Sequence, residues 1–239
     1  MSAPRKVQLQ PAWLLSLRPY RETSALIEAF TRGHGRVGLV ARGVRGAKSR
    51  SRGLLQPFRP LLLSWSEGGE LGTLAQVESG GPAPGLAGES VFAGWYVNEL
   101  LLRLMQRRDP HAAVFDAYGA VLQALPGDGA EAALRLFEKH LLADIGYGLQ
   151  WPAEADGWFE YADDEGWRRV AEPAPGAYAG AHLHALRDGR LEDADVLREA
   201  RRLLQGALAR HLGRKPLRTP QMLRDLRAVA RTRRSAGAA

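Results

Sequence analysis

The sequence predicts an α+β protein, with an N-terminal five-stranded OB-fold barrel followed by a helical C-terminal domain that carries a short irregular or hairpin insertion. Three observations support this class. Apolar residues alternate as in strands over the first 80 residues, the segment Gly80-Gly81-Pro82-Ala83-Pro84-Gly85 interrupts the pattern, and the helical period dominates from Glu89 onward. We expect an OB-fold domain at 1–80, a helical domain at 81–230 with the insertion at 150–180, and a disordered basic tail at 231–239.

The N-terminal domain contains five segments with strand-like patterns. They are Ala12 to Arg18, Ser24 to Thr31, Arg36 to Arg42, Phe58 to Ser66 and Leu71 to Glu78. Gly33-His34-Gly35 predicts a hairpin, after which Val37, Leu39 and Ala41 face one side of the third strand. Five strands and one long loop predict a small closed barrel. An OB-fold is the commonest such barrel with a cationic face, and an SH3-like barrel is the alternative.

The second half of the chain has the periodicity of helices. The predicted helices are Glu89 to Arg108, His111 to Leu125, Ala130 to Ile145, Asp193 to Leu212, and a last one from Thr219-Pro220 to about Ala230. In the fourth helix we expect His211 to face inward. Within the insertion, aromatic residues flank a turn at Asp163-Asp164-Glu165-Gly166, which predicts a short hairpin.

Charge is distributed in blocks. The 239 residues carry a formal net charge of +7. Residues 1–80 hold twelve Arg or Lys against five Asp or Glu, residues 81–200 hold ten against twenty, and residues 201–239 hold eleven against one. This order predicts anionic partners at the two ends, although an arginine-rich solvated surface is the simpler alternative.

Several function classes have no support. Without cysteine there are no disulfides or thiolate metal sites, and the motifs GxxxxGK[ST], GxSxG and HExxH are missing. The acidic and histidine residues of the insertion region match neither a calcium loop nor a recurrent zinc site, and Glu138 and Asp144 fit a helix surface. We expect no cofactor, no metal, no enzymatic activity and no membrane segment, and a cytoplasmic, nucleoid-associated protein.

The strongest functional signal lies between Glu28 and Glu67, where eight basic residues occur with no acid. Basic side chains among glycines and serines can follow a flexible phosphate backbone, and aromatic rings can stack on bases. Of the aromatic residues in this domain, Tyr20 is the one we expect to be exposed. The candidate DNA-binding residues are Arg32, Arg36, Arg42, Arg45, Lys48, Arg50, Arg52 and Tyr20.

Five ordered blocks of the chain resemble the RecO family of bacterial recombination mediators. The blocks are SLRPYRETSALIEAFTRGHGRVGLVARGVR (Ser16 to Arg45), LLQPFRPLLLSW (Leu54 to Trp65), YVNELLLRLM (Tyr96 to Met105), LRLFEKHLLADIGYGL (Leu134 to Leu149) and HLGRKPLRTPQMLRDL (His211 to Leu226). The similarity covers nearly the whole chain.

This resemblance implies a protein that binds single- and double-stranded DNA and anneals complementary strands coated with single-stranded-DNA-binding protein. With RecR it would help to load RecA at gaps in the RecF pathway, with RecF and RecA as indirect partners. Some family members carry a four-cysteine zinc module near 150–180, which this chain lacks. The family also binds, in its helical domain, the acidic, phenylalanine-ended tail of the single-stranded-DNA-binding protein. The resemblance implies that Arg135 matches a basic residue of that site and that Lys139 and Lys215, from the same matched blocks, are its neighbours.

Two other hypotheses remain open from the residues alone. The protein could be an adaptor that docks acidic proteins and has only incidental DNA affinity, or an unrecognised metal-dependent nuclease. Magnesium-dependent strand cutting would support the nuclease.

Overall fold

The computed structural model describes residues 5–47, 49–162, 166–213 and 215–224, which form two compact units. The first unit contains the described residues up to Pro126 and those from Lys215, and the second contains those from 127 to 213. No helix in these ranges is long and apolar enough to cross a membrane.

The first unit is built around a closed five-stranded barrel with the strand order β1-β2-β3-β5-β4. The strands are β1 (Lys6–Tyr20), β2 (Ser24–Thr31), β3 (Gly35–Ala41), β4 (Pro60–Ser66) and β5 (Gly72–Ser79). The 15-residue β1 pairs with both β2 and β4, and a parallel pairing of β3 with β5 closes the barrel. The predicted OB-fold is confirmed.

The barrel core follows the alternation read from the sequence. Val37, Leu39 and Ala41 of β3 are at most 7% exposed and pack with inward residues of the other strands. β1 begins at Lys6, earlier than predicted. The sequence does not show this start, because the first half of the strand is mostly polar and a bulge between Val7 and Gln10 interrupts the alternation.

Two helices, α1 (Glu89–Leu104) and α2 (Ala112–Ala124), pack on the barrel within the same unit. The Asn98 side chain donates a hydrogen bond to the Leu15 carbonyl at 3.0 Å and accepts one from the Tyr118 hydroxyl at 2.6 Å. Trp13 of β1 lies with its ring centre 5.4 Å from that of Tyr118. α1 ends before the predicted Arg108, because the Arg108 backbone N–H bonds the Arg36 carbonyl instead.

The compact units divide the chain at a different place from the predicted domains at 1–80 and 81–230. The reason is that α1 and α2 pack against one side of the barrel through the contacts of Asn98 and Tyr118. A boundary near residue 80 stays a prediction. The predicted tail at 231–239 lies outside the described residues, as does the end of the last predicted helix, of which 218–224 is described as helical.

The described residues of the second unit combine three α-helices, a π-helical turn at Ala143–Tyr147 and a small sheet. Its elements are α3 (Ala130–Leu142), β6 (Trp158–Ala162), β7 (Gly166–Val170), β8 (Tyr178–Ala179), α4 (Gly180–Asp188) and α5 (Ala194–Leu212). β6 and β7 form the predicted hairpin, although residues 163–165 of its turn lie outside the described ranges. α4 was not predicted. His211 is exposed rather than inward, since the buried face of α5 runs through Leu204 and Leu208.

Aromatic contacts hold the hairpin region together. The ring of Trp167 packs edge-on against Tyr161 and Tyr178, with ring centres 5.1 and 5.6 Å apart. The Trp167 indole donates to the Gln150 carbonyl at 2.6 Å, and the Arg202 guanidinium lies 3.9 Å from the centre of the Tyr178 ring. Packing and cation–π contacts therefore stabilise this segment without any cysteine.

Candidate nucleic-acid interface

The loop that leaves β3 exposes a group of arginines, and we name residues 42–52 the cationic loop. Val44 and Leu55 anchor the two ends of this stretch in the barrel core, at 3% and 4% exposure. Between these anchors, the described residues include a 3-10 turn at Arg50–Gly53. The four arginines Arg42, Arg45, Arg50 and Arg52 are all exposed. Lys48 lies outside the described residues.

The cationic loop packs beside the turn between β1 and β2. The Arg45 backbone N–H donates to the Thr23 carbonyl at 2.8 Å, and its guanidinium donates to the Arg21 carbonyl at 3.1 Å. The Arg21 guanidinium in turn lies 5.2 Å from the centre of the Tyr20 ring. This end of the barrel therefore gathers an aromatic ring and several cations, as a surface for phosphates and bases requires.

Arg21 is a further cation of this surface that the charge pattern did not predict. It lies outside the acid-free stretch and next to Glu22, so the charge pattern gave it no weight. Its position in a turn beside Tyr20 is the signal that could have identified it.

Tyr20 is the partly exposed ring among the aromatic residues considered for stacking. Trp13, Phe30 and Phe58 are buried, at 7%, 0% and 9% exposure. Tyr20 keeps an intermediate exposure at the end of β1.

Arg36 does not lie with the cationic loop. It stands near the start of β3, whereas Arg42 follows the end of that strand, roughly 20 Å away at the rise of an extended chain. Its Nη1 donates to the Leu102 carbonyl at 2.8 Å, with Glu28 at 3.9 Å. Burial lowers the pKa of Arg36, and the attraction of Glu28 opposes that shift. The side chain is committed to holding α1 against the barrel.

Arg32 also lies at the far end of the barrel from the cationic loop. Its guanidinium forms two hydrogen bonds to the Asp116 carboxylate of α2, at 2.9 and 3.1 Å. These bonds raise the pKa of Arg32 and lower the pKa of Asp116. Both side chains remain more than half exposed, so Arg32 stays within reach of solvent.

The residues assigned to the partner tail lie in different surroundings. Arg135 is 3% exposed, and its Nη2 donates to Glu138 at 2.8 Å. Glu138 is fully buried, so its interpretation as a helix-surface residue was wrong. The Lys139 ammonium bonds the carbonyls of Leu186 and Arg187 at 3.0 and 2.8 Å, and burial lowers its pKa. Lys215 is exposed and belongs to the other compact unit.

The acidic and histidine side chains that the structure describes in the second unit do not gather into a metal site. Among the described residues, no cluster of three or more His, Cys, Asp or Glu could hold one. The Nδ1 atom of His182 lies 3.2 Å from a carboxylate oxygen of Glu199, and the Nε2 atom of His184 lies 2.8 Å from the carbonyl oxygen of Pro152.

The barrel topology and the cationic loop define an OB-fold protein with a basic, partly aromatic surface at one end. Comparison with known families agrees with this class. Residues 6–82 match the family model described as Recombination protein O N terminal, and residues 87–221 match Recombination protein O C terminal. The chain belongs to the RecO family of DNA repair proteins.

Individual relatives are similar over nearly their whole length. The DNA repair protein RecO of Nitrosococcus oceani is 47% identical over 240 residues, which cover 96% of this chain and 98% of the relative. The RecO protein of Alkalilimnicola ehrlichii is 43% identical, with 97% and 95% covered. That of Coxiella burnetii is 39% identical, with 92% and 99% covered.

Proposed function

We propose that this protein binds single- and double-stranded DNA, anneals complementary strands coated with single-stranded-DNA-binding protein and, with RecR, helps to load RecA at gaps in the RecF pathway. The observation that carries the proposal is the exposed cationic loop beside Tyr20 on an OB-fold barrel. Membership in the RecO family supports the same role.

The chemistry required of the loop is charge neutralisation. Arginines on a loop contact phosphates wherever the backbone passes, so they bind without reading base sequence. Two complementary strands repel one another, and a cationic surface that holds both lowers that repulsion while the bases pair. No bond needs to be made or broken. The loop residues proposed for this contact are Arg42, Arg45, Lys48, Arg50 and Arg52.

Strand annealing tests the proposal directly. Complementary labelled oligonucleotides are mixed with wild type or with the double variant R42A/R45A, in the presence and absence of the coating protein. We expect the variant to anneal more slowly in both conditions, because phosphate contacts are lost. The matched control is R190A/R198A, which removes two exposed arginines that lie in the other compact unit and form ion pairs with Asp188 and Asp195. Equal annealing rates for R42A/R45A and wild type would refute the role of the loop.

Binding of the acidic tail of the coating protein at Arg135, Lys139 and Lys215 remains a proposal. Because Arg135 is buried against Glu138, a carboxylate could reach it only if that pair opened. Substitution of Arg135 would also disturb the fold, so the cleaner test is titration of an acidic, phenylalanine-ended peptide against Lys215→Ala. An affinity equal to wild type would remove Lys215 from the site.

A further inference from the structure

A second cationic surface lies within the first compact unit. The outer side of β1 and β2, the exposed stripe of α1 and the helical segment 218–224 enclose a groove of about 990 Å³. Its lining comes from three parts of the chain that are far apart in sequence. We name it the α1 groove.

Two side chains of α1 hold the segment 215–224 in place. The Glu99 carboxylate accepts hydrogen bonds from the backbone N–H groups of Arg218 and Thr219, at 2.8 and 3.0 Å. It also accepts one from the Thr219 hydroxyl at 2.9 Å. Arg103 donates to the Pro216 carbonyl at 3.3 Å. These contacts fix exposed Arg218 at one side of the groove.

The lining is rich in cations. It contains five arginines and two glutamates, namely Arg18, Arg36, Arg103, Arg107, Arg218, Glu28 and Glu99. Both carboxylates are engaged: Glu28 bonds Arg107, and Glu99 bonds the backbone N–H groups at the start of the helical segment. Because Arg36 and Arg107 both face Glu28, the charge offered to a polyanion comes mainly from the exposed Arg18 and Arg218.

The groove also exposes large apolar side chains. Trp95 is 37% exposed and Met222 is 59% exposed, and Phe92 and Leu102 contribute to the same wall. The ring of Phe58 packs edge-on against Trp95 with ring centres 5.1 Å apart, which fixes the indole in position. A fixed, exposed indole among arginines is a platform on which a base can stack.

We propose that the α1 groove binds single-stranded DNA as an extension of the cationic loop, an inference that rests on the proposed function. The two surfaces are joined along the β1–β2 hairpin. Arg18 of the groove is opposite Leu26, and Tyr20 is opposite Ser24, beside the turn on which Arg45 packs. Two residues of strand, roughly 7 Å, separate Arg18 from Tyr20.

A single strand fits these features better than the alternatives. A duplex keeps its bases stacked inside, so it presents phosphates to the arginines and leaves Trp95 and Met222 without a partner. An acidic peptide with aromatic residues matches the charge, but the continuity with the cationic loop favours a long polyanion. A strand of splayed nucleotides uses both the cations and the apolar wall.

Fluorescence anisotropy with labelled oligothymidine tests the inference. A strand of about 8 nucleotides should occupy the cationic loop, whereas one of about 25 nucleotides should also reach the α1 groove. We expect Trp95→Ala, and separately R18A/R218A, to weaken binding of the long strand about fivefold or more and to leave the short strand unaffected. Trp95→Phe should retain most of the affinity, and R190A/R198A should bind as wild type does.

Each outcome has a distinct meaning. Suppose that R42A/R45A binds DNA more weakly than wild type, whereas R18A/R218A and Trp95→Ala bind the long strand with the affinity of wild type. The groove inference is then overturned, and the proposed function stands. If wild type binds no DNA, both fail. If the groove variants lose only an acidic, aromatic peptide, the groove docks a protein and the inference is again overturned. Because Arg18 and Arg218 are exposed, R18A/R218A keeps the test valid even if Trp95→Ala unfolds.

Discussion

The cationic loop and helix α3 use arginine in opposite ways. In the loop, Arg42 and Arg52 are exposed, and their charges are hydrated. In α3, Arg135 is 3% exposed and faces the fully buried Glu138 at 2.8 Å. The loop was predicted from its run of basic residues without acids, whereas Arg135 was predicted only from the family resemblance.

The difference shows that desolvation decides what an arginine can do. An exposed guanidinium binds a phosphate with little loss of internal contacts, whereas a buried one has already exchanged water for a carboxylate. Removing it leaves a charge inside the protein. We therefore expect substitution of the buried arginine to lower the stability of the protein. Substitution of the exposed loop arginines should instead lower its affinity for DNA.

The largest effect should come from the buried pair. Arg135→Met keeps the length of the side chain but removes the guanidinium that donates to the buried Glu138 carboxylate. We expect the free energy of unfolding to fall by about 3–5 kcal/mol. Urea denaturation measures this change.

Two further variants control that measurement. R135M/E138L replaces the whole pair with apolar side chains and should recover much of the loss. Arg198→Met breaks an exposed ion pair with Asp195 on α5 and should cost less than about 1 kcal/mol. A loss for Arg135→Met no larger than that for Arg198→Met would mean that the pair is not structural.

Arg36 should behave like Arg135 rather than like the loop arginines, although it lies in the same acid-free stretch of sequence. Its removal leaves the Leu102 carbonyl without a donor. We expect Arg36→Met to lower the free energy of unfolding by about 1–3 kcal/mol and to leave the salt dependence of DNA binding unchanged. Arg42→Met is the matched control, with unchanged stability. If Arg36→Met reduces the salt dependence instead, then Arg36 contacts phosphate.

The sequence was sufficient to predict the barrel, because alternation at period two places Val37, Leu39 and Ala41 in one core. It was also sufficient for the loop, since glycine and serine spacing together with charge keeps arginines in solvent. The parallel pairing of β3 with β5 and the early start of β1 depend on contacts between distant segments, which no local pattern encodes.

The surroundings of α3 and the α1 groove could not be predicted for a related reason. Arg135 and Glu138 lie on α3, which packs against α5, and their burial follows from tertiary packing that the sequence of α3 does not show. Trp95 lines a groove because Glu99 bonds the segment at Thr219, which follows 120 residues later in the chain.

A smaller effect is expected when loop charges are removed. If four loop residues contact phosphates, log affinity for a strand of about 8 nucleotides should fall with log salt at a slope of about −2.8. R42A/R45A should reduce the magnitude of that slope by about 1.4, with an unchanged urea midpoint. Anisotropy titrations at several salt concentrations measure it. An unchanged slope would show that these two arginines do not contact phosphate.

The smallest effect should come from the exposed pair of Arg32 and Asp116. Arg32 is intermediate between the two regions, because its guanidinium is solvated and also bonds a carboxylate. The hydrogen bond from Arg32 lowers the pKa of the Asp116 carboxyl, so the folded state favours its ionised form. The resulting stabilisation is present at neutral pH and is lost as the pH falls through the lowered pKa. An NMR titration should show the pKa of Asp116 rising toward its ordinary range in Arg32→Ala. Because both side chains are exposed, added salt should reduce the difference in the pKa of Asp116 between wild type and Arg32→Ala. A difference that persists at high salt would mean that this pair, unlike the loop arginines, is shielded from solvent.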